Sequence, residues 1–487
     1  MAAEKTVKTV LDILPYGPEG QEGKPIRGAK LPEGVKRSAL LRDVVLIAWP
    51  SLLELILTQL TGMVDQMMVG RLPGQEGIMA LSAVGLATQP KFLLMAMIIA
   101  LNVGSTAVIA RFRGRQDAAG ATQAYRQSVL LNLLISSAVM VLGYIFAEPL
   151  VRFMGAGGIS SETISFSVQY LRIQMLGFVP LALTATTTAA LRGVADSRTP
   201  LMYNTIANVV NVIFNYALIY GKLGFPRMSV AGASLATVIG QCVAFVISGY
   251  IMLSGKRYIR LSLRGKFTFD RKIMRNVASI GAPSMAEQLF MRAGAIIYVR
   301  TVAGLGDTMY ATHNVLMNIL AMSFMLGQAF GTSGTTLMGQ SLGKRRSDMA
   351  ALYMKECRFL GLIISVILLV AMALLREEFI AMYNSTPEVV RIGGQIMLLM
   401  AALQPIQTDQ FIVSGGLRGA GDTRYTAAVT AVTVLVFRNV LGLLAVDVLG
   451  WGLWGAWIAM GADQCLRSVL MLHRYYSGKW QNIRLSQ

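Results

Sequence analysis

Apolar stretches of about 20 residues, the length a helix needs to cross a hydrocarbon layer, recur twelve times along this chain. They fall at approximately 44–69, 80–109, 124–146, 164–190, 200–220, 230–253, 276–303, 309–339, 352–374, 391–415, 425–446 and 452–473. The connectors between them, such as RFRGRQDAAG, LRGVADSRTP and SLGKRRSDMA, are short, polar and glycine-bearing. This pattern predicts an all-α integral membrane protein with twelve transmembrane helices.

Polar positions interrupt several spans, and they do so with helical spacing. In residues 49–70, WPSLLELILTQLTGMVDQMMVG, the positions Glu54, Thr58, Thr61 and Asp65 lie four, three and four apart, on one face. An acid pointing into lipid costs several kcal/mol or neutralises, so this face predicts a polar cavity inside a bundle, with Asp65 lining it. Span 5 repeats the spacing with Asn204, Asn208, Asn211 and Asn215. Asn204 and Asn208 can equally serve as interhelical hydrogen-bonding groups. Span 7 opens with Glu287 and Gln288, with Arg292 one turn beyond. Glu287 can pair Arg292 within the helix or act on substrate. In span 10, Gln404, Gln407, Gln410 and Ser414 share a face, while Asp409 projects to the other side, where Arg438 is its expected partner. Lys91, Arg172, Arg292, Arg300 and Arg438 also fall in spans or at their ends, where some snorkel to an interface and others pair acids.

The chain is an internal repeat. Pro50-Ser51 returns as Pro283-Ser284, Asp117 as Asp348, Leu191-Arg192-Gly193 as Leu417-Arg418-Gly419, and Gly232-Ala233 as Gly455-Ala456. The offsets drift through 233, 231, 226 and 223, as duplicated halves with small deletions would. Six spans per half leave both halves in the same orientation, a transporter geometry with substrate handled between the repeats. By the same offsets Asp65 maps onto Tyr298, Asn211 onto Phe437 and Asn215 onto Leu441, so an ion site built on them is single and lies in the first half.

Composition sharpens the class. Of 487 residues, 54% are hydrophobic and 14% charged, with mean hydropathy +0.55, against about 25% charged in soluble domains. The formal charge of +19 would suggest nucleic acid, but its placement assigns it otherwise. With the N-terminus inside, cytoplasmic segments carry roughly 30 basic residues and outer loops roughly 6, which predicts both termini in the cytoplasm and no nucleic-acid partner. Eight of the basic residues lie in the connector from Lys256 to Arg275, a topology signal that could also meet anionic lipid. Three cysteines without CxxC spacing and two histidines offer neither a disulfide framework nor a metal centre. The predicted organisation is a polar tail over 1–40, unstructured through LPYGPEGQEGKP, a first lobe over 41–255, a basic connector over 256–275, a second lobe over 276–475 and a tail over 476–487.

Taken in order, the motifs resemble a known family. They are P-x14-D-x3-VG in span 1, LRGVADSRTP with NVVNVIFNYALIYG, VAGASLAT entering span 6, APSMAEQLFMR opening span 7, TTLMGQSLG ending span 8, and GGLRGAGDT after span 10. Over residues 40–475 this resembles the multidrug and toxic compound extrusion (MATE) family, nearest its bacterial DNA-damage-inducible-type branch. The resemblance implies two pseudo-symmetric six-helix lobes forming a V-shaped cleft. It also implies a bacterial inner-membrane antiporter that acts as a monomer and expels small organic, often cationic compounds in exchange for Na⁺ or H⁺, with no other cofactor. In such proteins the span 1 aspartate and polar residues of spans 5 and 6 form the cation site, which carries over to Asp65, Asn211, Asn215 and Thr237. Some relatives have an aspartate where Asn215 stands, leaving Asp65 here as the one carboxylate of the set.

A carboxylate with amide oxygens can hold Na⁺ at Asp65, Asn211 and Asn215 as a hard-cation site, or Asp65 can carry a proton. Pro50 frees backbone groups and lets span 1 bend, a conformational hinge. Glu54, Thr58, Thr61, Glu287, Gln288, Gln404 and Gln407 are candidate cleft-lining or substrate-binding residues. A lipid-linked precursor flippase of related architecture is the alternative function. With no HExxH, GxSxG or Walker loop, an enzyme is not expected.

Overall fold

The computed structural model describes residues 9–17, 29–154, 160–261, 269–383 and 386–483. The first eight residues, most of LPYGPEGQEGKP, Arg264 and Lys266 of the basic connector and the last four residues lie outside the described residues.

Among the described residues the chain is helical without strands. In order come α1 (Val10–Ile13), α2 (Arg37–Gly70), α3 (Gln75–Gly114), α4 (Ala118–Ile145), α5 (Ala147–Met154), α6 (Ser161–Leu176), α7 (Phe178–Gly193), α8 (Arg198–Tyr220) and α9 (Ser229–Leu253). The second repeat supplies α10 (Arg271–Ala303), α11 (Asp307–Gly343), α12 (Ser347–Leu374), α13 (Arg376–Ala381), α14 (Pro387–Gly419), α15 (Thr423–Thr430), α16 (Arg438–Leu443) and α17 (Gly452–Tyr476). The turns on either side of α16, Ala431–Phe437 and Leu444–Val448, are π-helical. There the Asn439 amide donates to the carbonyls of Val434 (3.1 Å) and Leu435 (2.9 Å). With α6–α7 taken as one bent span and 423–448 as another, twelve long helical segments occupy the twelve expected positions.

The α6–α7 bend is 51°. Gly177 sits at the bend, and Pro180 removes a backbone donor from the first turn of α7. A side chain at Gly177 would meet Gln241 Oε1 at 2.4 Å and a Val238 methyl at 2.9 Å, so α9 approaches the bend closely.

Seven of the helices are long and apolar enough to cross a membrane by length and composition, or eight with the bent pair counted as one span. The segments short of that measure are α2, α8, α10 and α17. These four carry Asp65, the asparagine ladder, Glu287 and Asp463. Their polar groups turn inward: Glu54, Asn211, Asn215, Glu287 and Asp463 are buried. The apolar helices instead expose large side chains such as Val246, Ile367 and Leu374, as surfaces facing lipid do.

The chain divides into two compact units. Unit 1 contains Leu53–Ile109 and Asp117–Ala278, and unit 2 contains Lys8–Leu52, Ala110–Gln116 and Ser279–Gln487. The division within α2 falls two residues beyond Pro50, which lies inside that helix. In unit 1, Val69, Ala83, Ile98, Leu171, Phe178 and Ile219 belong to one apolar core. In unit 2, Tyr298, Leu316, Ile396, Met400 and Trp457 belong to another. In unit 2, α11 and α14 cross closely. A Cβ added at Gly415 would lie 2.3 Å from the Gly331 carbonyl oxygen, and one at Gly419 2.3 Å from that of Thr335. The Thr335 hydroxyl donates to the Gly415 carbonyl at 2.8 Å, so small residues let a side chain of one helix bond the backbone of the other.

Unit 2 also orders part of the tail, where periodicity predicted no structure. Val10–Ile13 makes one helical turn, and Asp12 accepts from the Thr9 N–H at 2.9 Å. The Val10 N–H donates to Asp43 at 2.8 Å, and the Tyr353 hydroxyl donates to the same carboxylate at 2.7 Å. Asp12 pairs Arg113 at 2.8 Å, and the buried Lys344 ammonium donates to the Leu11 carbonyl. Burial pushes the Lys344 ammonium down from its ordinary range, with Asp12 opposing. The Gly17 N–H donates to the Lys344 carbonyl at 3.1 Å, and a side chain at Gly17 would strike the Arg345 carbonyl at 2.0 Å. A peptide without periodicity is held here by backbone groups, which composition cannot reveal.

Candidate functional site

Unit 1 gathers the polar faces of α2 and α8 and adds α9. Small residues in GASLATVIG let α9 lie close to α8: a Cβ at Gly240 would sit 3.0 Å from the Ala207 carbonyl oxygen and 3.1 Å from Asn211 Cβ. Thr237 thereby reaches the amide ladder.

The Asn215 amide donates to Asp65 Oδ1 at 2.5 Å, and Asn215 is fully buried. Asn211 sits between the two and Thr237. In one orientation of its amide, Nδ2 donates to Thr237 Oγ1 at 3.4 Å while Oδ1 accepts from Asn215 at 3.2 Å. Turned over, the same amide donates to Asp65 Oδ1 at 2.9 Å and accepts from the Thr237 N–H at 3.2 Å. Asp65, Asn211, Asn215 and Thr237 therefore form one constellation drawn from three helices.

Outside this set, Lys91 Nζ on α3 donates to Gln174 Oε1 on α6 at 2.7 Å. Lys91 was visible only as one of several basic residues in or near spans, and no spacing within its own helix ties it to Gln174.

Glu54 shares the face of Asp65 but makes a different set of contacts. It accepts from Arg192 at 2.8 Å and from Asn204 at 2.7 Å. Thr58 and Thr61 donate back to their own helix, to the carbonyls of Glu54 and Leu57, both at 2.8 Å. In unit 2, Glu287 pairs Arg418 at 2.6 Å and accepts from the Thr426 hydroxyl at 3.0 Å, so its partner is Arg418 rather than Arg292. Gln288 is half-buried. Gln404 is buried and accepts from Ser323, while the Gln407 amide is buried with neither end bonded to protein.

Asp409 binds Arg358 through two hydrogen bonds of 2.5 and 3.0 Å, not Arg438 as span positions suggested. Arg438 turns to Asp463 on α17, which is wholly buried and bonded by Arg467 at 3.2 Å as well. The Asp463–Arg467 pair is spaced i, i+4 in an apolar helix, and that spacing was the sequence signal for it. Where Asp65 maps by repeat onto unit 2 stands Tyr298, buried, with the Arg438 guanidinium 5.8 Å from its ring centre. Unit 2 has no equivalent of the acid–amide constellation at the positions to which it maps. Among the described residues no cluster of three His, Cys, Asp or Glu side chains could hold a metal ion, so any cation at Asp65 would rest on amide, hydroxyl and single-carboxylate oxygens.

Comparison with known proteins shows the family and the fold. The MatE family model matches residues 50–217 and 283–444, one block in each repeat. The chain is 27% identical to the probable multidrug resistance protein NorM of Thermotoga maritima, over 90% of this chain and 93% of that one. It is 28% identical to the multidrug resistance protein PmpM of Pseudomonas aeruginosa, over 82% of this chain and 83% of that one. A MATE transporter crystallised in complex with MaD3S superposes with a TM-score of 0.82 at 19% identity, covering 92% of this chain and 100% of that one. The outward-facing form of a multidrug resistance MATE family transporter of the MOP superfamily gives 0.82 at 20% identity, with the same coverage.

Proposed function

The chain belongs to the MatE family of membrane transporters, and from that premise we propose a secondary antiporter that expels small organic, often cationic compounds in exchange for Na⁺ or H⁺. It works in a bacterial inner membrane as a single chain with both termini in the cytoplasm. The observation that carries the reading is Asp65 bonded by Asn215 beside Asn211 and Thr237 in the first repeat, with Tyr298, Phe437 and Leu441 at the equivalent points of the second. A lone acid held by neutral amides inside a transporter can change its charge state without a compensating partner on its own helix. Occupation by an ion changes the charge where α2, α8 and α9 meet, and Pro50 gives α2 a point at which to bend. Coupling then requires only that ion and substrate prefer different conformations, or exclude each other.

Purified protein in proteoliposomes tests this. Efflux of a fluorescent organic cation should follow an imposed Na⁺ or H⁺ gradient, and Asp65→Asn should abolish that drive. Wild-type transport by Asp65→Asn would refute the role of the acid.

A further inference from the structure

The C-terminal end of α4, the short helix α5 and α6 enclose a pocket of about 500 Å³, inside the range of about 300–1,000 Å³ that small-ligand sites occupy. From α6 come Ser165, Gln169 and Arg172, spaced four and three apart on one face, with Leu176 a turn further on. On α5, Arg152 and Glu148 pair at 2.9 Å and balance each other. Arg172 has no such balance. Its guanidinium carbon lies 5.7 Å from the centre of the Tyr144 ring, and among the described residues no carboxylate or hydrogen-bond acceptor meets it. Its Nε is buried and unbonded.

We propose that this pocket holds the headgroup of an anionic phospholipid, with the lipid phosphate on Arg172. The site goes beyond the antiporter reading and does not depend on it. An arginine within a membrane span is costly unless an anion or water meets it. Helical side chains lean toward the N-terminus of their helix, so Arg172 reaches back toward the start of α6, where the chain enters the membrane. A guanidinium offers its N–H groups in the plane of a fork that matches two phosphate oxygens. An aromatic ring against its face, as Tyr144 provides, leaves that edge free.

The surroundings favour an amphiphile over a free anion. Ile145 and Phe146 at the end of α4, Phe153 on α5 and Leu176 on α6 are all exposed, as side chains facing acyl chains are. Along α6 the polar groups come first and Leu176 last, which matches a headgroup at the membrane surface with chains running inward. Charge selects the headgroup. With Glu148 and Arg152 cancelling, Arg172 leaves the pocket one net positive charge. Phosphatidylcholine brings its own cation, which that charge repels, whereas phosphatidylglycerol brings the phosphate alone. Its glycerol hydroxyls can bond Ser165 and Gln169, whose side chains make no hydrogen bond among the described residues.

The test titrates full-length protein in detergent with phosphatidylglycerol or phosphatidylcholine and reads bound lipid by native mass spectrometry. Wild type should retain one phosphatidylglycerol in preference to phosphatidylcholine. Arg172→Met should weaken phosphatidylglycerol about tenfold, the loss of one charge-assisted contact, and leave phosphatidylcholine unchanged. A merely structural arginine would not alter that preference. Arg71→Gln, which removes a positive charge outside the pocket, should keep it. Equal retention of the two lipids by wild type overturns the proposal, as does an undiminished preference in Arg172→Met or an equal loss in Arg71→Gln. Displacement of the lipid by inorganic phosphate also overturns it, because the site would then serve free anions. If Arg172→Met does not fold, Ser165→Trp decides, since it fills the pocket from an exposed position with Arg172 in place. That variant should lose the preference, and its retention there overturns the proposal.

Discussion

Arg192 donates to Glu54 across 2.8 Å, and the second repeat makes the same pair from Arg418 and Glu287 at 2.6 Å. Each acid stands four residues after the proline of a Pro-Ser pair, and each arginine lies in a Leu-Arg-Gly sequence. Both repeats hold this ion pair, whereas the Asp65 constellation stands in one alone, which separates a clamp within each unit from the proposed ion site.

The clamp predicts an asymmetry between single and double substitutions. All four side chains are largely buried. Removing one partner should lower stability by about 3 kcal/mol, because a buried charge is left alone. Glu287→Gln should reduce the melting temperature of the detergent-purified protein more than Glu287→Gln combined with Arg418→Met. Equal melting temperatures for the two would show that the pair carries no such load.

Asn215 is predicted to tune Asp65 without replacing it. Loss of a hydrogen bond to a charged group is worth about 1.5–3 kcal/mol, so Asn215→Leu should weaken the ionised site roughly tenfold or more. Half-maximal transport should shift along the driving-ion axis. An unchanged ion dependence would place Asn215 among the purely structural amides.

The α11–α14 crossing should be intolerant of any side chain. Gly415→Ala places a methyl 2.3 Å from the Gly331 carbonyl oxygen, and overpacking of this kind costs about 1–3 kcal/mol. Thermal unfolding should register the loss, while the ion dependence proposed for the Asp65 site in unit 1 should not move.

The ordered tail predicts protection where composition suggests none. Hydrogen exchange at the amides of Val10 and Gly17, bonded to Asp43 and to the Lys344 carbonyl, should be slower than in a free peptide. Asp43→Ala should abolish that protection at Val10. Free-peptide exchange rates at both amides in the wild type would contradict the docked arrangement.

Most of the architecture could be read from the chain. The apolar stretches located the twelve helical segments, and the polar faces of α2 and α8 singled out Asp65, Asn211 and Asn215, which the fold brings together. Glu54 and Glu287 stood out as acids, but their arginine partners lie more than 130 residues away, and nothing local distinguished Arg418 from Arg292. Asp409 went to Arg358 and Arg438 to Asp463 for the same reason.

By itself, the sequence determined the helix count, the duplication, the family and the helix faces that must avoid lipid, because each is written in periodicity or residue order along one segment. Only the tertiary structure decided which charge meets which, that Lys91 bonds Gln174, and that residues 9–17 are docked. Any buried ion needs a partner, but several candidates are chemically equivalent. The choice among them falls to side-chain reach between packed helices, a property no single helix carries.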